Sequence, residues 1–369
     1  MKHIFCIAII LLLSLDYVQA AEVPFIELKG HTGGVNSARY SPDGKTIITI
    51  PEGSHERNHR FWNAESGEAL GTLSDVTSAQ YSPDGTLILA RSGGPIVRIL
   101  DSETGMELLT LRHSWAVTSA LWSPDGMKIA TITVDRDLKS DVRIWDTDSG
   151  TVLRRLELPD TSTFLNGFSP DGKKIATRHW DYTARIWDVE SGEELLTLTG
   201  HTRSLNAVVF SPDGKQIVTS SNGFRSGEPR GGTIRIWNAE TGKELHKLTE
   251  QTRSIEPARF SPDGKKVVAI IGFNVHMWDT ESGKELQTLA GGQNFVAFSP
   301  DGKRIVTAGA EHTAIIWDAE SGKELQKLVG HERGFAFVGS SVYSAAFSPD
   351  GKKVVTASGD GTARIWTLE

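Results

Sequence analysis

The stretch Ser348-Pro349-Asp350-Gly351-Lys352-Lys353-Val354-Val355-Thr356-Ala357-Ser358-Gly359-Asp360-Gly361-Thr362-Ala363-Arg364-Ile365-Trp366 holds two short strands and the turns that bound them. Proline after serine presets φ for a turn, and the Asp-Gly that follows supplies a residue that accepts positive φ. Val354 to Ala357 is apolar enough to be covered on both sides, while Thr362 to Trp366 alternates. The same tetrapeptide begins at Ser41, Ser82, Ser123, Ser169, Ser211, Ser261, Ser299 and Ser348, at intervals of 41, 41, 46, 42, 50, 38 and 49 residues. A fixed period of this size marks a chain built from stacked repeats.

Working outward from the tetrapeptide, each repeat reads as four short strands. Strand a precedes the turn, as in Ser344 to Phe347; strand b follows it; strand c ends in a Trp-Asp-like pair such as Trp317-Asp318. A turn such as Glu320-Ser321-Gly322-Lys323 then leads into a strand d such as Glu324 to Leu328. Sheets this small that are apolar on both faces need a neighbour on each side, which a closed ring supplies. Strands a, b and c occur eight times, but the chain stops at Glu369, straight after the last strand c. Val23 to Lys29 has the strand d pattern, so the N-terminal strand is expected to complete the last sheet.

The chain resembles the WD-repeat β-propeller family. The resemblance is carried by Gly30-His31, Gly200-His201 and Gly330-His331, by the eight Ser-Pro-Asp-Gly turns and by the Arg-Ile-Trp-Asp-type strand endings. It implies an all-β, eight-bladed propeller of four-stranded antiparallel blades closed by the N-terminal strand. Seven blades is the alternative, since the second repeat has Leu100 in place of tryptophan and the sixth is short. The resemblance also implies a polar tetrad, which the last repeat carries as His331, Thr356, Asp360 and Trp366. The fourth repeat keeps Thr177, Asp181 and Trp187 without the family's histidine. The fifth has His201, Thr219 and Trp237 with an insertion where the aspartate belongs, and the seventh has Thr307, Glu311 and Trp317. The role implied for this tetrad is structural, not catalytic.

Composition agrees with one exported domain. Twelve mostly bulky apolar residues, Ile4 to Leu15, follow a short basic start and end in Asp16-Tyr17-Val18-Gln19-Ala20. This run is too short to span a bilayer and reads as a signal peptide over residues 1–20, leaving residues 21–369 as a single domain in a bacterial periplasm or envelope, or outside the cell. The only cysteine, Cys6, lies in that run, so the exported chain forms no disulfide. A net charge of −7 argues against nucleic-acid binding, and no membrane span is expected after cleavage.

Function is read from where the repeats differ. The a–b and c–d turns share one face and hardly vary. From the tetrapeptide glycine to the tryptophan position there are 15 residues in four repeats, but 18 in the first, 19 in the third and 23 in the fifth. Insertions therefore gather on the face of the b–c turns and d–a connections, where a repeat protein carries its binding surface. Thirteen of 18 lysines follow the tetrapeptide turns or sit in c–d turns, whereas 11 of 21 arginines fall in the variable connections. Arginine suits an interface because it pairs bidentately and stacks on aromatic rings. Seven of the ten tryptophans end a strand c; Trp122 lies in a strand a, while Trp115 and Trp180 fall in variable connections. Arg112, His113, Trp115, Arg178, His179, Trp180 and Tyr182 form an aromatic-basic cluster that Phe224 and Arg225 extend, the composition of an interface hot spot.

These features predict a non-catalytic, monomeric propeller that binds a protein or peptide through its variable face, with no cofactor and no metal. The alternative is a ligand-binding or hydrolytic or lyase-type propeller with its site at the channel mouth. Gly-x-Ser-x-Gly and His-Glu-x-x-His are absent. The acidic loop Asp135, Asp137, Asp141 lacks the glycine and glutamate of a calcium loop. His55 and His59 read as part of a solvated insertion rather than as metal ligands.

Overall fold

The computed structural model describes residues 23–53, 56–158, 163–222, 231–252, 255–292, 294–309, 312–332 and 342–368. Residues 1–22, His55, Phe224, Arg225, Glu311 and most of the insertion before the last strand a lie outside them, so the expected signal peptide and the far end of the expected arc fall outside the described residues. Every regular element among the described residues is a β-strand. They form eight antiparallel sheets of four, the blades of an eight-bladed propeller. The count is eight, not seven: the second repeat builds a complete blade despite Leu100, and so does the short sixth.

Seven blades are consecutive meanders. In the fourth, strands a to d are Thr163–Phe168, Lys174–His179, Ala184–Asp188 and Glu194–Leu198. The eighth takes Val342–Phe347, Lys353–Ser358 and Thr362–Thr367 from the end of the chain and Phe25–Lys29 from its beginning. Phe25 stands opposite Trp366 and Leu28 opposite Ala363.

The core is divided into eight apolar clusters, one at each seam between neighbouring blades. Seven contain the strand c tryptophan of the following blade, as Trp187 packs on Ala130, Val142 and Ile144 of the blade before it. At the seam of the first and second blades Leu100 holds that place. Two-sided burial of strand b follows from this arrangement, because each blade lends one face to each of two seams.

The Ser-Pro-Asp-Gly turn serves both blade and ring. Within the blade, Ser41 Oγ donates to Asp43 Oδ1 at 2.6 Å and accepts from the Thr46 amide at 3.0 Å, while Asp43 Oδ1 also accepts from the Lys45 amide. Gly44 closes the turn at φ 73°. Between blades, each proline packs on the turn glycine of the next: a Cβ placed on Gly85 would lie 3.3 Å from Pro42 Cδ. The series runs through all eight turns and returns, with Pro349 against Gly44. The tetrapeptide recurs unchanged because it is also the contact between neighbours.

Candidate functional site

The variable face of the third and fourth blades carries three of the exposed aromatic groups, Trp115, Phe164 and Trp180; Phe273, in the b–c turn of the sixth blade, and Phe25, in the eighth, are exposed elsewhere. In the fourth blade the b–c turn is built around Asp181, whose Oδ1 accepts from the Thr183 amide and hydroxyl at 3.0 and 2.6 Å. Its Oδ2 accepts from Arg185 at 3.0 Å. The tight turn drives Trp180 outward, 64% exposed. It also places Tyr182 in the left-handed region at φ 67°, where the eighth blade has Gly361 at φ 86°. In the third blade Asp135 Oδ1 accepts from the Asp137 and Lys139 amides at 2.9 and 2.8 Å, and Leu138 takes the left-handed position, exposed.

Two arginine–aromatic pairs flank these turns. The Arg136 guanidinium lies 5.5 Å from the ring centre of Trp115, and that of Arg178 lies 4.5 Å from the ring centre of Phe164. Both rings remain partly exposed, so each presents an apolar edge beside a cation. Arg178 also donates to the Leu205 carbonyl of the next blade, which fixes its side chain across the seam. Arg112 is exposed at the end of a strand d. Phe164, Arg136 and Leu138 belong to this surface and were not in the cluster expected from sequence. Phe164 takes the second position of a strand a, where the third blade has the exposed Thr118 and the first the exposed Asn36.

His113 and His179 leave the cluster, because both turn inward. His113 Nε2 is 2.8 Å from Thr131 Oγ1, which accepts from Trp145 Nε1 at 2.7 Å. His179 is 2% exposed and bridges Thr177 and Thr163 through its two ring nitrogens at 2.9 and 3.1 Å. The fourth blade therefore has its tetrad histidine after all, supplied from strand b and not from the connection before strand a. Burial, reinforced by Arg185, holds the His179 imidazole down to about 4.

In the eighth blade the four expected groups meet. Trp366 Nε1 donates to Thr356 Oγ1 at 2.8 Å, Thr356 lies 2.7 Å from His331 Nε2, and His331 Nδ1 lies 2.8 Å from Asp360 Oδ2. The donors run in one direction, indole to hydroxyl to neutral imidazole, with the far imidazole N–H on the carboxylate. Burial opposes the Asp360 charge, yet its hydrogen bonds from His331, Thr362 and the Glu332 amide hold it ionised. The first blade has the same network, with Glu56 as the acid: His31 Nδ1 is 3.0 Å from Glu56 and Nε2 is 2.7 Å from Thr49, which accepts from Trp62. An insertion hides Glu56 from spacing counted forward. Counted back from strand c it is legible, since Glu56, Asp181 and Asp360 each stand four residues before an arginine.

Two positions before each tetrapeptide serine, strand a carries Arg39, Gln80, Leu121, Gly167, Val209, Arg259, Ala297 and Ala346. Arg39 and Arg259 are solvent-accessible but surrounded by protein, and that desolvation lowers the basicity of both. These eight positions include two arginines and no carboxylate. A cavity of about 540 Å³ is lined in part by Asn166, Asn206 and Arg259. Asp141 of the acidic loop is paired with Arg143 at 2.6 Å, and Asp135 is spent on its own turn. His59 is buried, not solvated as the sequence suggested, and burial holds it down to about 4. Among the described residues no group of three histidine, cysteine or acidic side chains is arranged to hold a metal ion.

Comparison with known proteins places this architecture in a class. The family model for the WD domain, G-beta repeat, matches residues 22–63, 158–188, 192–238, 283–318 and 322–367, more than half of the chain. The chain belongs to the WD-repeat family. Members of that family typically bind protein partners and are typically not enzymes. No curated protein sequence matches the chain. Among solved structures it is similar to the computationally designed Ika8 protein, with a TM-score of 0.74 and 23% identity over 93% of this chain and 98% of that one, a likeness of fold. No helix among the described residues is long and apolar enough to cross a membrane.

Proposed function

We propose that this protein is an exported, non-catalytic, monomeric scaffold that binds a protein or peptide through the variable face of its third and fourth blades. The observation that carries this reading is the concentration there of two arginine–aromatic pairs, Trp115 with Arg136 and Phe164 with Arg178, beside the outward-turned Trp180. Rings and guanidinium groups of this kind dominate binding energy at protein interfaces. The apolar leader at residues 4–15 supports export, and the periplasm, envelope or extracellular space is the compartment that a chain with such a leader enters.

Crosslinking of the full-length chain in its native cells, followed by mass spectrometry, identifies the partner and the linked surface. The purified partner is expected to bind Trp115→Ala/Trp180→Ala at least tenfold more weakly than the parent, with folding unchanged. Equal affinity overturns the assignment of this face. The exported form is expected to begin at Ala21 or Glu22; a chain that retains Met1 in the cytoplasm overturns export.

A further inference from the structure

We propose that the cleft at the seam between the first and second blades, on the invariant face, is a binding site for a small amine with a flat apolar body. The cleft measures about 680 Å³, within the usual range for small-molecule sites. It exists because this seam is packed differently from the others. Around the ring, the c–d turn glycine of one blade packs on a strand d side chain of the blade before it. A Cβ on Gly67, Gly150, Gly192, Gly242, Gly283 or Gly322 would run into Ile26, Leu109, Arg154, Leu196, His246 or Gln287 respectively. At the second blade the facing strand d residue is Gly71, and a Cβ on Gly105 would meet nothing within 4 Å.

The apolar cluster at this seam is also the smallest of the eight, with six buried members against eight to ten elsewhere. Leu100 replaces the tryptophan, and Ala90 stands where most other blades have the threonine that would accept the indole N–H. Phe61, where other repeats carry isoleucine or methionine, fills part of the missing volume. What remains open has an apolar floor of Phe61, Ile88 and Leu100, with the Tyr81 ring edge-on to Phe61 at 6.5 Å.

The rim sets the charge of the occupant. Asp43, Asp84, Asp101 and Glu103 line it against a single lysine, Lys45, which lies 3.4 Å from Asp43. The Ser82 hydroxyl holds the Asp84 carboxyl below its ordinary range, and the Thr104 hydroxyl does the same for Asp101. Neither they nor Glu103 has an ion-pair partner among the described residues. An apolar slot under an unneutralised carboxylate rim favours a cation carrying a hydrophobic ring.

The test is titration calorimetry of the full propeller with two indoles of opposite charge, tryptamine and indole-3-propionate. Tryptamine is expected to bind with submillimolar affinity and at least tenfold more tightly than the anion. Gly71→Leu, which restores the side chain that Leu109 and Leu196 supply in other blades, is expected to weaken tryptamine tenfold or more without lowering the melting temperature. Glu103→Gln, a change on an exposed turn, is expected to weaken it about threefold. Absence of tryptamine binding, equal binding of both indoles, or unchanged binding in Gly71→Leu overturns the proposal.

Discussion

Buried imidazoles set how the fold responds to acid. His201 bridges Thr219, Ser221 and Thr233, and burial with Arg235 and Lys247 nearby holds it down to about 3, while His179 is held to about 4. Both sit below the ordinary value of 6.5, so the unfolded chain binds protons that the folded chain refuses. The stability contributed by neutral imidazole is complete above pH 6.5 and falls as pH drops from 6.5 toward 4. Each such group steepens the dependence by up to about 1.4 kcal/mol per pH unit. The urea midpoint of the parent is expected to fall over that window, whereas His201→Gln is expected to be less stable at pH 7 but flatter with pH. Parallel profiles for the two proteins would show that His201 titrates normally. Below about pH 4 the tetrapeptide aspartates add to the loss, since serine hydroxyls hold Asp43, Asp171 and Asp350 below their usual range.

At the scale of the element, the b–c turn of the fourth blade carries a conformation that its own residue does not favour. Tyr182 at φ 67° is strained by roughly 1 kcal/mol relative to a glycine, the residue that the eighth blade uses. Tyr182→Gly is expected to leave stability unchanged or raise it by up to about 1 kcal/mol, measured by urea unfolding, while weakening partner binding. A variant destabilised by more than about 1 kcal/mol would show that the ring is needed by the fold instead. The same turn explains which site residues were legible. Trp180 and Trp115 stood out because they break the repeat pattern. His179 misled because a histidine beside Trp180 in a turn has the composition of a surface cluster, and only the inward rotation of strand b assigns it to Thr177. Phe164 and Leu138 gave no signal, since a strand a phenylalanine and a turn leucine are ordinary where they stand.

For the whole molecule, the question is how one ring holds together without disulfides. Leu28 of the first strand is fully buried among Ile47, Trp62, Val355 and Ile365, at the seam where the two ends of the chain meet. Leu111 occupies the equivalent place in the second blade and is equally buried. Leu→Ala at either is expected to cost about 2–5 kcal/mol. If the eighth blade shares the cooperativity of the ring, calorimetry will show one transition for Leu28→Ala and for Leu111→Ala. A separate early transition only in Leu28→Ala would mean that the joined blade opens by itself.

The repeat, the blade count and the identity of the invariant and variable faces were written in the sequence, because each is a one-dimensional property: a period, a turn type, a difference in spacing. The partnerships across seams were not, because they join residues tens to hundreds of positions apart. That Pro349 meets Gly44, that Glu56 serves as the acid of a tetrad, and that Gly71 faces Gly105 across an open cleft depend on how neighbouring sheets are set against each other. Local chemistry makes each blade, but packing between blades decides which side chains are enclosed and which stay exposed.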